Sequence, residues 1–408
     1  MAEPFVENLS TGEWSAETFR RHLEEAGTPL VERVSADEAD VTFVDESRPE
    51  TTTRLSVVIG PVTGRNPVGT EFTDVPGTPF RTLTLRMRSD LRFGYVFTRR
   101  GPAGEEEVPD PFNPPPRFSE YPEERFSGSS VAVLPDAAPL PWLERAEVGP
   151  APAMESATLA SATLENERRI WVSMPPGSHG SGLPFVIQLD GTPHHSAPSV
   201  RDALVAAGAI RPCAVVLVDQ LGDQRYRELL CNPAFSRMLV DELLPWLRER
   251  YPLSNDPADV ALAGESYGGL CAAWTALHHP EAFGNVILQS PACGYHAGLG
   301  WAHGTNALLR RAPVPTLMAE YLAAERAPIR IFHDVGELED AITTHSRWFD
   351  QVLRAKGYDT RYLEFAGGHD YAWWRGLFAD ALQWCFPPAG QAPAVPSDRQ
   401  DAGGTVIT

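Results

Sequence analysis

From residue 168 onward, short apolar runs without polar alternation take turns with helical segments, and this pattern limits the fold more than any other feature of the chain. Strands read from the residues are Arg168–Met174, Phe185–Asp190, Ala214–Asp219, Asp259–Gly264, Asn285–Gln289, Ile329–Asp334 and Thr360–Phe365. Helices are read at Ser199–Ala207, Pro233–Arg250, Gly268–His279, Ala341–Lys356 and a last one through Trp373–Cys385. A strand with no polar face is buried on both sides, so a mostly parallel sheet with helices on both faces is expected, an α/β fold. The first third reads differently. One helix is expected at Ala16–Ala26, then half-buried antiparallel strands: residues 81–88 alternate apolar with polar, and Phe93, Tyr95 and Phe97 alternate just downstream. Pro and Glu density between Gly101 and Gly128 reads as a loop-like connector. The expected organisation is a β-rich unit over 1–150, a catalytic unit over 151–386 and a disordered Pro/Gly/Ala-rich tail over 387–408.

One turn in the second unit carries chemistry. Gly264-Glu265-Ser266-Tyr267-Gly268-Gly269 matches G-x-S-x-G between an apolar strand and a helix. In that context the serine sits on a sharp, strained turn with Oγ exposed above the carboxyl edge of the sheet. A serine hydroxyl is a weak nucleophile and needs a base. His369, in Gly367-Gly368-His369-Asp370, follows the last strand and precedes the last helix, where such a fold returns a loop to the serine. His278 and His279 end a helix, His345 lies within one and His333 lies in a strand. The acid that orients the base belongs after Ile329–Asp334 and before His369. Glu337, Glu339 and Asp340 all qualify, and the order Ser, acid, His is that of α/β-hydrolases. The backbone N–H of Tyr267, with that of Gly191 or Thr192, is expected to form the oxyanion hole.

Composition bounds partners and compartment. Of 408 residues, 54 are Asp or Glu and 34 Lys or Arg, a formal net charge of −20. That sign disfavours nucleic acid and anionic membrane as partners and leaves a small molecule. The five cysteines show no CxxC pairing, so neither a disulfide framework nor a metal site is expected. MAEPFVENLSTGEW has no basic region and no apolar run, which suggests the cytoplasm.

Several segments resemble the enterochelin (enterobactin) esterases, siderophore esterases of the α/β-hydrolase fold with an N-terminal β-sandwich. They are RELLCNPAF at Arg227–Phe235, GESYGGL at Gly264–Leu270, and Gly367-Gly368-His369-Asp370 followed by Trp374-Arg375. In the first unit they are Asp110-Pro111-Phe112-Asn113-Pro114 and Leu140-Pro141-Trp142. The resemblance implies Ser266 as nucleophile, His369 as base and Glu339 as acid, three residues after Gly336, with Asp340 next in line. It implies a substrate: a tri-serine lactone carrying catecholate groups, ferric or iron-free. Iron would be part of the substrate, and no resident cofactor is implied. Another lactone, depsipeptide or acylated natural product would suit the same three residues. The chain departs from the family at Thr192-Pro193-His194-His195, where an aromatic residue is expected after Asp-Gly.

Four further residues are candidates for substrate contact. Arg225 and Arg227 could meet an anionic ferric ligand or line a solvated turn. Trp374 and Arg375 could form an aromatic and cationic wall or simply belong to the core. Asn232 before Pro233 also suits a helix N-cap.

Overall fold

The computed structural model describes residues 5–46, 50–57, 70–116, 128–177, 180–297, 300–301, 314–388 and 390. Nearly all of the expected tail and the middle of the expected connector lie outside these residues.

Eight N-terminal strands build two antiparallel sheets. β1 (Leu30–Arg33), β2 (Glu38–Glu46), β5 (Phe80–Arg88) and β4 (Thr73–Asp74) form one. β3 (Thr52–Val57), β6 (Arg92–Gly101) and β7 (Gly104–Val108), with β8 (Ser130–Val133) also paired to β6, form the other. Val41 and Phe43 of one sheet share an apolar cluster with Leu55, Phe93, Tyr95 and Phe97 of the other, so the sheets close as a sandwich. Phe43 meets Tyr95 edge-on at 5.0 Å. Two expectations fail here. β6 is buried along both faces from Arg92 to Arg99 rather than half-buried, because the helix Tyr371–Cys385 and Asp370 before it pack on its second side. And β7 lies inside the segment read as a connector. Its glutamates pair with β6 arginines, Arg100 opposite Glu105 and Arg99 opposite Glu106, and such opposite-charge cross-strand pairs favour an edge strand. The Asp110–Asn113 segment is structural: Asp110 Oδ2 accepts from Thr28 Oγ1 at 2.7 Å and from Tyr95 Oη at 2.8 Å.

C-terminal to the sandwich lies a larger sheet of eight strands in the order β18-β17-β14-β13-β11-β12-β10-β9. These are β9 (Glu155–Ser161), β10 (Asn166–Ser173), β11 (Phe185–Gln188), β12 (Ala214–Val218), β13 (Val260–Glu265), β14 (Asn285–Gln289), β17 (Arg330–Gly336) and β18 (Asp359–Phe365); β15 (Tyr295–His296) and β16 (Gly300–Trp301) make a separate ribbon. Pairing from β12 to β18 is parallel, and β9 and β10 extend the edge antiparallel. Alternate residues feed opposite faces, as the period of a strand requires: Val260 and Leu262 join one core, Ala261 and Ala263 the other. The helix Pro141–Val148 was not anticipated. Leu140, Leu143 and Ala146 join the core beneath the helices Ala197–Ala206 and Tyr371–Cys385. The helix expected at Pro233–Arg250 is continuous but widens to π geometry over Met238–Leu243, just before Pro245. Proline donates no N–H and crowds the carbonyl one turn earlier, which accounts for the irregularity.

Candidate active site

β13 delivers Ser266 onto a strained turn. Its φ of 53° and ψ of −113° are costly for a residue with a Cβ. The surroundings enforce it: Ser266 N–H donates to Gln289 O at 2.9 Å, and Ser266 O accepts from Ala292 N at 2.9 Å and Leu270 N at 3.1 Å. Glycines permit the close packing. A Cβ on Gly264 would overlap the Gly268 carbonyl, and one on Gly269 would lie 2.9 Å from Gly264 O. Tyr267 opens the helix Tyr267–His278, whose first-turn N–H groups form the positive end of the helix dipole.

Across the carboxyl ends of the next strands stands an acid–histidine pair. Glu339 Oε2 is 2.6 Å from His369 Nδ1, with the Glu339 side chain fully buried and that of His369 30% exposed. Glu339 Oε1 accepts from Gly336 N at 2.6 Å and from Ser290 Oγ at 2.5 Å. A Cβ on Gly336 would lie 2.8 Å from that same oxygen, so the acid requires glycine there. With Nδ1 donating to the carboxylate, Nε2 is the basic nitrogen of His369. The other two acids point elsewhere. Asp340 is exposed at the head of the helix Ala341–Ala355, and Glu337 pairs with Arg88 at 2.7 Å. Beneath the pair, burial pushes the Asp334 carboxyl well above its usual range, and Gln289 Nε2 donates to it at 3.2 Å.

The Gly191 amide is not available to an oxyanion, contrary to the expectation from its position. It donates to Val218 O at 2.9 Å, and a Cβ on Gly191 would lie 2.7 Å from Leu217 Cβ, so this glycine serves close packing on β12. The loop that follows, where the sequence departs from the family, is tied to the Ser266 turn. His195 N donates to Thr192 O at 3.1 Å, His195 Nδ1 accepts from Ala197 N at 3.0 Å, and Nε2 lies 3.4 Å from Glu265 Oε1.

The substrate-contact candidates separate. Arg225 lies beside the turn: its Nε and Nη2 reach Asp190 Oδ2 at 3.0 and 2.5 Å, and its guanidinium is 5.5 Å from the Tyr267 ring. Its charge is therefore already matched by a buried carboxylate. Tyr226, not anticipated, is 55% exposed and meets Tyr267 edge-on at 5.6 Å. Arg227 is exposed, and its carbonyl accepts from Asn232 Nδ2 while Asn232 Oδ1 caps the helix Pro233–Arg237. Trp374 is no outer wall. It is 3% exposed, packs its ring edge-on to His369 at 4.7 Å and donates from Nε1 to Ser290 Oγ at 2.9 Å. Arg375 is 4% exposed and turns away, to Tyr371 O at 3.0 Å and Glu147 at 3.6 Å. Both lie on the helix Tyr371–Cys385, whose apolar face fills the core, and tryptophan and arginine stems go with it.

A strained serine between strand and helix and an acid–histidine pair on two later loops define a serine hydrolase of the α/β-hydrolase fold. The Esterase family model matches residues 161–385 of the 408, and the chain belongs to that family of carboxylic ester hydrolases. Its long-range relatives are enterochelin esterases, as the motifs suggested. It is 28% identical over 427 residues to the iron(III) enterobactin esterase of Dickeya dadantii, covering 92% of this chain and 94% of the relative. It is 26% identical over 391 residues to the iron(III) salmochelin esterase of an Escherichia coli strain, covering 89% and 92%. Among solved structures, an enterobactin esterase from Shigella flexneri crystallised with enterobactin superposes with a TM-score of 0.72 at 22% identity, over 86% of this chain and 94% of that one. Among the described residues no helix is long and apolar enough to cross a membrane.

Proposed function

We propose that the protein is a serine esterase that opens the ester bonds of a catecholate tri-serine lactone, with Ser266, His369 and Glu339 as its reacting set. The contact that carries this reading is Glu339 Oε2 on His369 Nδ1 at 2.6 Å, with Glu339 tied through Ser290 to the segment whose Gln289 and Ala292 hold the strained Ser266 turn. In this scheme His369 Nε2 takes the Ser266 hydroxyl proton as Oγ attacks the ester carbonyl. The N–H groups of Tyr267 and Thr192 receive the developing oxyanion, Thr192 taking the place first expected of Gly191. The C–O bond then breaks, and the leaving serine oxygen takes the proton from His369. Water attacks the acyl-enzyme by the reverse route and frees Ser266, so each cut consumes one water. Glu339 holds the imidazole in the working tautomer and balances the imidazolium charge.

Substrate class rests on the near-full-length relatives, named for enterobactin and salmochelin. Two local features support it. Tyr226 offers an exposed ring beside the nucleophile turn, and Arg227 offers a cation on the same segment for an anionic ferric catecholate. The overall charge of −20 goes with a small ligand rather than nucleic acid or an anionic membrane, and the five free cysteines suit a reducing cytoplasm.

Cyclic and linear catecholate tri-serine esters, each with and without ferric iron, are incubated with wild-type protein and Ser266→Ala, and products are read by mass spectrometry. Stepwise gain of one water per ester, absent in Ser266→Ala, is expected. Intact substrate in all four arms, with simple aryl esters still turned over, would move the substrate to another lactone or depsipeptide.

A further inference from the structure

The loop Ala366–Asp370, which carries His369, is held from outside its own sheet. Arg92 N–H on β6 donates to Ala366 O at 3.4 Å, and a Cβ on Gly367 would lie 3.1 Å from Arg92 O. Asp370 goes further. Its Oδ1 accepts from Ala372 N at 2.9 Å and caps the helix Tyr371–Cys385, while its Oδ2 accepts from the N–H of Gly94 on β6. Asp370 is 6% exposed, and a Cβ on Gly94 would stand 3.1 Å from both carboxylate oxygens. The loop bearing Glu339 is gripped from the same side: Arg88 pairs with Glu337 at 2.7 Å, and Leu338, like Ala366 of the His369 loop, packs on the apolar cluster of the sandwich.

We infer that Asp370 is a positioning residue: by taking the Gly94 N–H of the N-terminal sandwich, its carboxylate fixes the loop that presents His369 to Ser266. This makes the sandwich part of the hydrolytic apparatus, and it rests on the reading of His369 as the base. Capping alone does not need a carboxylate, because asparagine is as good an N-cap. An asparagine that caps with its Oδ1 turns its amide N–H₂ toward the Gly94 N–H, donor against donor. Asp370→Asn therefore separates the two roles.

Turnover of p-nitrophenyl butyrate is measured for Asp370→Asn, Gly94→Ala, the double variant and Ser266→Ala, together with thermal unfolding. Because displacement of a catalytic group by about 1 Å can cost up to about 100-fold, kcat in Asp370→Asn is expected to fall by about tenfold or more. KM should stay within about twofold and the variant should remain folded, since the cap survives. Gly94→Ala, which presses on the same carboxylate, should show the same split, and the double variant should be no worse than the poorer single, since both act through one contact. Wild-type kcat in Asp370→Asn, or losses that simply multiply in the double variant, would overturn the inference; if Gly94→Ala does not fold, Asp370→Asn decides alone. Full turnover in Ser266→Ala would instead sink the esterase reading on which it rests.

Discussion

Glu339 divides its carboxylate between two tasks: Oε2 faces His369 Nδ1 at 2.6 Å, and Oε1 is fixed by Gly336 N–H at 2.6 Å and Ser290 Oγ at 2.5 Å. Both carboxylate oxygens are engaged, so the acid is held in one orientation toward the imidazole. A Glu339→Gln side chain would turn an N–H₂ toward either His369 or the Gly336 and Ser290 donors. We expect kcat to fall by about 10³–10⁴-fold, as when a triad acid is made an amide, while Asp340→Asn, exposed on the neighbouring turn, stays within about twofold. Steady-state rates on a common ester give the ranking; equal losses would remove Glu339 from the set.

Backbone strain at Ser266 can be measured apart from chemistry. Ser266→Ala and Ser266→Gly both lack Oγ and should both lose hydrolysis, but only glycine is at ease at a φ of 53°. Ser266→Gly is expected to unfold later than Ser266→Ala by about 1–3 kcal/mol, the size of one stored backbone outlier. Urea midpoints for the pair test it, and an alanine variant of equal or greater stability would mean that the turn is unstrained.

Acid should weaken the fold through a buried histidine outside the acid–histidine pair. His333 on β17 is fully buried between the rings of Phe349 and Tyr362, and desolvation pushes its pKa down to about 3 from the usual 6.5. Below pH 6.5 the unfolded chain binds a proton at this position that the folded chain refuses, so stability falls with pH down to about 3. His333→Phe removes that contribution. Its unfolding midpoint, followed from pH 7 to 4, should decline less steeply than that of wild type; parallel declines would show that other groups control the slope.

Tyr226 and Arg375 make opposite forecasts. Tyr226→Ala should raise KM for a catechol ester by about two- to tenfold with kcat nearly unchanged, the range of one aromatic pair. Arg375→Gln should leave KM alone and lower the unfolding temperature, because its guanidinium is buried against Glu147. Titration of initial rates and a melting curve for each variant are sufficient, and a KM effect at Arg375 would return it to the binding surface.

Much of this was legible in the sequence wherever chemistry and periodicity coincide. Ser266 was marked by its glycines and by the strand before it, and the parallel strands by their lack of polar alternation. What sequence left open was decided by atoms distant along the chain. Glu337, Glu339 and Asp340 are equivalent by spacing, and only the Gly336–Ser290 cradle separates them. Gly191 has the right position for an oxyanion donor, yet its N–H completes a bond to Val218, which no local pattern records. Arginines show their charge in sequence but not their partners: Arg225 meets Asp190, 35 residues away. β6 was misjudged as half-buried for the same reason, since its second face is covered by residues encoded far downstream.

The bond between Gly94 and Asp370 joins residues 276 apart in the chain. Contacts of such separation form late, after the loops between them have closed. Gly94 and Ser266 both precede the His369 loop in the chain, so that loop is made after both of the segments it has to meet.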